Sequence, residues 1–191
     1  MELIFATGNK NKIKEVIQLV PKSIKIKSLE DIGCYEEIPE THFTIEANSR
    51  EKAEYIFEKY GCNCFSEDSG LEVFALNGEP GVFSAHYSGS RNAEENISLL
   101  LLNLRNMNDR SAQFKTVFTL VIENNYNQFT GIVTGKISLL PIGTNGFGYD
   151  PVFVPDGAAI TFAQMTSEEK TSISHRAKAF KLLTDYLNCN F

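Results

Sequence analysis

The sequence predicts an α/β fold in one domain, residues 1–191, with a mixed β-sheet flanked by helices. Apolar runs of strand length alternate with segments of helical spacing. Two long alternating segments, Phe114 to Ile122 and Phe129 to Ile137, read as a hairpin, which adds antiparallel strands to a sheet that βαβ-like units make parallel. No repeat, low-complexity tract or composition break marks a linker, and 191 residues suffice for one sizeable core.

The chain opens with strand, turn and helix. Leu3 to Ala6 is an apolar run of strand length, which Thr7-Gly8-Asn9 interrupts. Apolar residues at helical spacing follow from Lys10, and Pro21 ends that helix because proline lacks the N–H that the helix needs. Ile24 to Ser28 alternates with lysines and is predicted to form a strand.

An acidic, irregular segment from Leu29 to His42 precedes a helix from Thr44 to Tyr60, with Gly61 where a C-terminal cap is needed. Cys62 to Ser66 is predicted to be a short strand that ends at Glu67-Asp68-Ser69-Gly70. The later elements follow from the same periodicities and turn signals. They are a strand from Leu71 to Leu76 with a turn at Asn77-Gly78, a loop from Pro80 to Arg91, a helix from Ala93 to Leu104, a hairpin tip at Asn124 to Asn127, a loop from Pro141 to Asp150, a strand from Val152 to Val154, a capping box from Thr166 to Glu169 and a helix from Ser174.

Composition limits the classes of partner. The formal net charge is -6 and the pI is near 5.2, which argues against a protein that grips duplex DNA or an anionic membrane. The longest apolar block, Leu99 to Leu102, is too short to span a bilayer, and no secretory signal is recognisable. We therefore expect a cytoplasmic protein, whose four cysteines are reduced and structural.

The segment from Thr7 to Lys12 is a first candidate for binding an anion. A strand ends there, the backbone turns at Gly8, and a helix begins, so main-chain N–H groups and the helix dipole favour a phosphate. Lys12 could add a point charge. A plain turn with a solvated lysine is the alternative, since the spacing matches neither a Walker A loop nor a dinucleotide motif.

Glu67-Asp68-Ser69-Gly70 is a candidate metal site. A carboxylate that faces a cleft is a good ligand for Mg²⁺, which takes few protein ligands and shares its shell with water and phosphate. Adjacent side chains on a strand point opposite ways, so the two carboxylates reach one ligand only if the strand has broken. The acidic residues Glu36, Glu37 and Glu40 are candidate partners, and an ordinary acidic turn is the alternative.

Two later segments could contact a planar ligand. In Gly143 to Pro151, aromatic residues stand between glycines, where an exposed ring can stack on a base and Asp150 can accept a ring N–H. His175 and Arg176 lie in the first turn of the last helix, where positive charge opposes the helix dipole and suggests a ligand. The alternative for the first segment is that its rings turn into the core. The alternative for the second is that its side chains are ordinary surface donors.

Five blocks in this order are similar to the signature of one enzyme family. They are Thr7-Gly8-Asn9-x-x-Lys12, Glu67-Asp68-Ser69-Gly70-Leu71, Pro80-Gly81-Val82-Phe83-Ser84-Ala85, Gly146-Phe147-Gly148-Tyr149-Asp150-Pro151 and Ser174-His175-Arg176-Ala177. Their order and spacing resemble the inosine/xanthosine triphosphate pyrophosphatases (HAM1-like or RdgB-like proteins) over essentially the whole chain.

The resemblance implies an elongated fold of two lobes, with a long mixed sheet and a cleft between the lobes, and a homodimer. It implies a Mg²⁺-dependent enzyme that cleaves ITP, dITP and XTP between the α- and β-phosphates. The products would be the monophosphate and pyrophosphate, which removes deaminated purines from the nucleotide pool. No nucleic acid or membrane partner is implied.

The resemblance also assigns residues. Asp68 would bind Mg²⁺ and help to activate water, with Glu37 as the second metal carboxylate and Glu40 as its rival. Arg176 would donate to the 6-oxo group of the base. The residues implied to bind the nucleotide are Thr7, Gly8, Asn9, Lys10, Asn11, Lys12, Lys52, Ser69, Phe147, Gly148, Tyr149, Asp150, Lys170, His175 and Arg176.

Two positions depart from the family pattern, because His86 and Gln113 stand where arginine is common. Two other functions remain open from sequence: a Maf-like pyrophosphatase for pyrimidine or modified nucleotides, and a non-catalytic nucleotide sensor. The blocks at Phe147 to Asp150 and Ser174 to Arg176 argue against the first. An intact Asp68 and Lys12 argue against the second.

Overall fold

The structure, a computed structural model, describes all 191 residues as six strands, five α-helices and short 3₁₀ turns. The strands are β1 (Glu2–Ala6), β2 (Lys25–Lys27), β3 (Cys64–Val73), β4 (Ser111–Ile122), β5 (Asn125–Ile137) and β6 (Phe153–Pro155). The helices are α1 (Lys10–Ile17), α2 (Ile45–Tyr60), α3 (Ala93–Asn103), α4 (Ser167–Ile173) and α5 (His175–Asn190). None of these helices is long and apolar enough to cross a membrane.

All six strands form one sheet in the order β2-β1-β3-β4-β5-β6. β1 pairs in parallel with β2 and with β3, whereas β5 and β6 are antiparallel. The predicted mixed sheet is therefore confirmed. Glu123 and Asn124 join β4 to β5 with φ of 49° and 66°, as a two-residue hairpin requires, so the turn begins one residue before the predicted tip.

Local capping explains where the first helices begin and end. The Asn9 side chain accepts hydrogen bonds from the N–H groups of Asn11 and Lys12 at the start of α1. Thr44 caps α2 in the same way, and Gly61 follows α2 with a φ of 64°. α1 is shorter than predicted, because Leu19 N–H bonds the carbonyl of Val16 in a tighter turn before Pro21 is reached.

The prediction that a strand ends at Glu67 to Gly70 is wrong. β3 runs without a break from Cys64 to Val73, and the following Phe74–Leu76 is a 3₁₀ turn rather than strand. β1 pairs with β3 at Cys64 to Ser66, and β3 continues beside β4 past the end of β1, so its polar side chains do not end it. Glu67 and Asp68 are therefore buried residues of a central strand.

The chain forms two compact units. Unit 1 comprises Met1–Asp68, Thr116–Gly131 and Arg176–Phe191, and unit 2 comprises Ser69–Lys115 and Ile132–His175. The core of unit 1 has two apolar clusters, one of which stacks the ring of Phe5 on that of Phe65 at 4.5 Å. The core of unit 2 is one cluster, in which the ring of Phe114 lies 4.7 Å from that of Phe153.

Candidate functional site

Unit 1 gathers charged side chains around two neighbouring carboxylates of β3, Glu67 and Asp68. Lys12 Nζ lies 2.9 Å from Glu67 Oε2 and 3.9 Å from Asp68 Oδ1. Lys52 Nζ lies 3.4 Å from Asp68 Oδ1 and also contacts Glu40. Arg176 Nη2 donates to Glu67 Oε1 at 3.1 Å. We call this set, together with Glu15, which Arg176 Nη1 contacts, the charged cluster of unit 1.

Strand register brings these residues together. Ala6 of β1 pairs with Ser66 of β3 in parallel, so the turn after β1 begins next to Glu67. α1 follows that turn at once and carries Lys12 and Glu15 one turn apart. The cluster therefore lies at the carboxyl end of β1, where open α/β sheets commonly bind ligands.

Burial and charge shift the two carboxyl pKa values in opposite directions. Burial raises the pKa of Asp68 and outweighs the lowering by Lys52 and Lys12. Burial also acts to raise the pKa of Glu67, but Arg176 and Lys12 outweigh it and hold that pKa well below its usual range. Asp68 is thus the better proton acceptor of the pair, whereas Glu67 is a permanent anion.

The cluster suits a divalent cation. Glu40 and Asp68 both contact the ammonium of Lys52, so two carboxylates converge on one positive group. Four carboxylates face three cations, which leaves an excess of one negative charge. No group of three or more His, Cys, Asp or Glu side chains forms a metal cage, but Mg²⁺ commonly takes only one or two protein carboxylates. Glu37 is exposed.

Unit 2 carries a different cluster, built from rings around one buried ion pair. Lys170 Nζ lies 2.6 Å from Asp150 Oδ2, and both side chains are almost wholly buried. The same ammonium lies 5.0 Å from the centre of the Phe147 ring and 5.6 Å from that of Phe162. Phe147 N–H also donates to Asp150 Oδ2, at 2.8 Å. We call these four residues the aromatic cluster of unit 2.

Gly146 makes the position of Asp150 possible. Its φ is +75°, and a Cβ at residue 146 would lie 2.0 Å from Asp150 Oδ2. A side chain there would therefore displace the carboxylate that holds Lys170. The glycines of this loop give the aspartate room as well as giving the backbone its conformation.

His175 ends unit 2 and is packed by an aromatic ring. Its imidazole stacks on Phe114 with ring centres 4.7 Å apart and an angle of 11°. His175 is buried, as is the next residue, Arg176, which belongs to unit 1. These two residues, adjacent in sequence, therefore belong to different units.

Comparison with known proteins assigns the family. The model of the Ham1 family matches residues 3–186. The chain belongs to the Ham1 family. Solved Ham1 family structures have the same fold: the Ham1 protein of Staphylococcus aureus has a TM-score of 0.92 and 37% identity over 100% of both chains. A HAM1 protein of Coxiella burnetii has a TM-score of 0.91 and 33% identity over 98% of both chains.

Relatives of this Ham1 family member carry an enzymatic name. A dITP/XTP pyrophosphatase of Flavobacterium psychrophilum is 54% identical over 97% of this chain and 98% of its own. A second dITP/XTP pyrophosphatase, of Porphyromonas gingivalis, is 44% identical over 98% of each chain. The family resemblance seen in the sequence is thus confirmed over the full length.

Most of the predicted site residues of this Ham1 family chain lie in one of two groups. Lys12, Lys52, Asp68 and Arg176 meet in the charged cluster, and Thr7 to Asn11 form the turn and helix start beside it. Phe147, Asp150 and Lys170 meet in the aromatic cluster. Tyr149 packs into the apolar core of unit 2, and Ser69 is half-buried on β3.

The two departures from the family pattern have local partners. The ring of His86 meets that of Phe83 edge to face at 5.8 Å. Gln113 Nε2 donates to Glu72 at 2.6 Å. Both contacts lie within unit 2.

Sequence reasoning missed two members of the charged cluster. In the sequence, Glu67 stands out only as the neighbour of Asp68, and Glu15 lies outside the five blocks that resemble the family. Glu15 lies three residues after Lys12 on α1, which is the spacing that places two side chains on one helix face. Phe114, which stacks on His175, gave no signal beyond its strand alternation.

Proposed function

We propose that this chain hydrolyses non-standard purine nucleoside triphosphates, dITP, XTP and ITP, to the monophosphate and pyrophosphate with Mg²⁺. The observation that carries the proposal is the charged cluster of unit 1. There, Lys12 and Lys52 converge on Asp68 of β3, next to the turn between β1 and α1. The name dITP/XTP pyrophosphatase of its relatives supports the substrate class.

Unit 1 is proposed to bind the triphosphate and to hold the metal. Lys12 and Lys52 are the ammonium groups that would neutralise the phosphates, and the turn from Thr7 to Asn11 would approach them. Asp68 and Glu40 would hold Mg²⁺; we favour Glu40 over Glu37 because Glu40 and Asp68 share Lys52. The bound cation would supply charge neutralisation at the phosphoryl oxygens.

Asp68 is proposed to orient the water that attacks the α-phosphorus and to accept its proton. A carboxylate held beside the phosphates by Lys12 and Lys52 can act as the general base that accepts a proton from the attacking water. The bond from the α-phosphorus to the bridging oxygen breaks, and pyrophosphate leaves. The two lysines would stabilise the charge that forms on the leaving group.

Unit 2 is proposed to select the base. The Phe147 ring offers a face for stacking, and the Lys170 ammonium beside it donates hydrogen bonds only. A 6-oxo purine presents an acceptor there, whereas adenine presents an amino donor. A buried donor that faces a donor can reject a near-isostere by about 10⁴-fold.

Further contacts to the nucleotide are proposed for His175, Arg176, Ser69, Gly148 and Tyr149. The homodimer, the cytoplasmic location and the single cleft implied by the family resemblance also stay predictions.

Pyrophosphate release tests the proposal. The protein is incubated with ITP, dITP, XTP, ATP, GTP, dUTP and 5-methyl-UTP, with and without MgCl₂. We expect fast release from the first three, at least about 100-fold slower release from ATP, and none without a divalent cation. Preference for dUTP or 5-methyl-UTP would support the Maf-like alternative, and absence of any turnover would support a sensor.

A further inference from the structure

Glu67 is a fully buried carboxylate in the middle of the charged cluster, and the proposed chemistry gives it no task. Arg176 Nη2 donates to its Oε1 at 3.1 Å, and Thr116 Oγ1 donates to the same oxygen at 3.3 Å. Its Oε2 lies 2.9 Å from Lys12 Nζ. Each oxygen therefore faces a cation. A buried charge of this kind is costly unless it is paired, so its two partners are fixed in place together with it.

Arg176 is itself held from a second side. Its Nη1 contacts Glu15 on α1, while its Nη2 bonds Glu67 on β3. Both guanidinium contacts lie within unit 1, and the side chain is buried. Arg176 thus closes a chain of alternating charges, Glu15–Arg176–Glu67–Lys12, that ends beside Asp68.

Three main-chain N–H groups at the turn before α1 already have side-chain partners. Asn9 Oδ1 already accepts the N–H groups of Asn11 and Lys12, and Thr7 Oγ1 accepts that of Asn9. A lysine side chain has four rotatable bonds, so on its own its ammonium would sample many positions. Two contacts to Glu67, to Oε2 at 2.9 Å and to the main-chain carbonyl at 3.5 Å, restrict it.

We propose that Glu67 is a positioning residue for phosphate binding. It does not touch the substrate; it fixes the Lys12 ammonium 3.9 Å from Asp68 Oδ1, at the proposed binding place of the triphosphate. Arg176, oriented by Glu15, holds Glu67 from the other side, so that the position of Glu67, and with it that of the Lys12 ammonium, is fixed. The inference rests on the proposed function in one respect, the role of Lys12 as a phosphate ligand.

A double-mutant cycle with inorganic tripolyphosphate and MgCl₂ tests this inference without needing turnover. Calorimetry gives the dissociation constants for the wild type, Glu67→Gln, Lys12→Met and the double variant. We expect each single variant to bind about tenfold more weakly and the double variant to bind no more weakly than Lys12→Met alone, because Glu67 acts through Lys12. Losses that multiply in the double variant would overturn the proposal, as would unchanged binding in Glu67→Gln.

Thr116→Val is a second variant that keeps the charge balance and side-chain shape. It removes one hydrogen bond to Glu67, so we expect about two- to threefold weaker tripolyphosphate binding, which vanishes in the Lys12→Met background. The same loss in both backgrounds would overturn the proposal.

The outcome is separable from that of the proposed function. A wild type that binds tripolyphosphate with the expected coupling, but releases no pyrophosphate from ITP, supports the positioning role and rejects the enzyme. A wild type that binds tripolyphosphate no better than Lys12→Met rejects the positioning role, whatever its activity. In an active enzyme, Glu67→Gln is expected to leave the ratio of ITP to ATP kcat/KM unchanged.

Discussion

The two clusters use ionic groups in opposite ways. In unit 1, three cations and four carboxylates contact one another in a network, in which burial raises the pKa of Asp68. In unit 2, a single ion pair, Lys170 with Asp150, is enclosed by the rings of Phe147 and Phe162. A network of charges suits a polyphosphate and a metal ion, whereas one fixed donor beside a ring suits a flat, neutral base.

The difference also concerns tolerance to change. The members of the charged cluster come from β3, α1, α2, α5 and the acidic segment. Removal of one charge therefore alters the contacts of several others. The aromatic cluster depends on one short loop and one lysine. We therefore expect changes in unit 1 to reduce turnover of every substrate, and changes in unit 2 to alter the choice among substrates.

Asp68→Asn is expected to have the largest effect. Asparagine keeps the shape but binds Mg²⁺ poorly and accepts no proton, so ITP turnover should fall by at least about 10³-fold. The fold should persist, since burial already disfavours the charged form of Asp68. Steady-state pyrophosphate release and circular dichroism check both points.

Asp185→Asn is the matched control for that substitution. Asp185 is exposed on α5 and pairs only at the surface with Lys181. It should leave turnover within about twofold of wild type. Retention of a tenth or more of the activity by Asp68→Asn would remove Asp68 from the catalytic role.

Gly146→Ala tests the dependence of unit 2 on one loop. Both Gly146 and Gly157 have a positive φ, of +75° and +81°, but only Gly146 would place a Cβ against Asp150. Gly157→Ala should cost about 1 kcal/mol of unfolding free energy from backbone strain, and Gly146→Ala about 3 kcal/mol. Only Gly146→Ala should reduce the ITP/ATP preference, by about tenfold.

Urea unfolding and the kcat/KM ratio provide the two measurements for this pair. Equal destabilisation and equal preference in both variants would mean that the contact between residue 146 and Asp150 has no role.

The smallest effect is expected at Glu36, which anchors the acidic segment at the surface of unit 1. Lys59 and the hydroxyl of Tyr60 hold the pKa of Glu36 well below its usual value of 4.5. A carboxyl with a lowered pKa adds stability above its unfolded pKa and loses it as pH falls towards the folded one. Glu36→Gln should lower the melting temperature by no more than about 2 °C at pH 7.

That difference should shrink as pH falls below about 4.5. Thermal melts of the wild type and Glu36→Gln from pH 7 to pH 2 check it. A difference that grows in acid would contradict the ion-pair origin of the shift.

Sequence patterns located most elements because periodicity and caps are local. α2, α5 and the mixed sheet follow from apolar spacing, Thr44 and Gly61. The expected break in β3 is absent because β3 continues beside β4 past the end of β1, and no local pattern reveals that neighbour. Polar residues such as Glu67 and Asp68 therefore do not by themselves mark the end of a strand.

The site was less predictable than the fold for a related reason. Family resemblance pointed to Asp68, Lys12 and Lys170, but it could not show which side chains they contact. The charge on Glu67 depends on Arg176, which is 109 positions away in sequence. The choice between Glu37 and Glu40 depends on where a loose acidic segment meets Lys52.

The central claim is that the charged cluster acts on the phosphates of every substrate, whereas the aromatic cluster selects the base. One comparison tests this claim most directly. The ratio of kcat/KM for ITP to that for ATP is measured in Lys52→Met, from unit 1, and in Lys170→Met, from unit 2. We expect Lys52→Met to lower both values together and leave the ratio within about twofold, and Lys170→Met to lower the ratio at least about tenfold. A ratio that falls as far in Lys52→Met as in Lys170→Met would contradict the account.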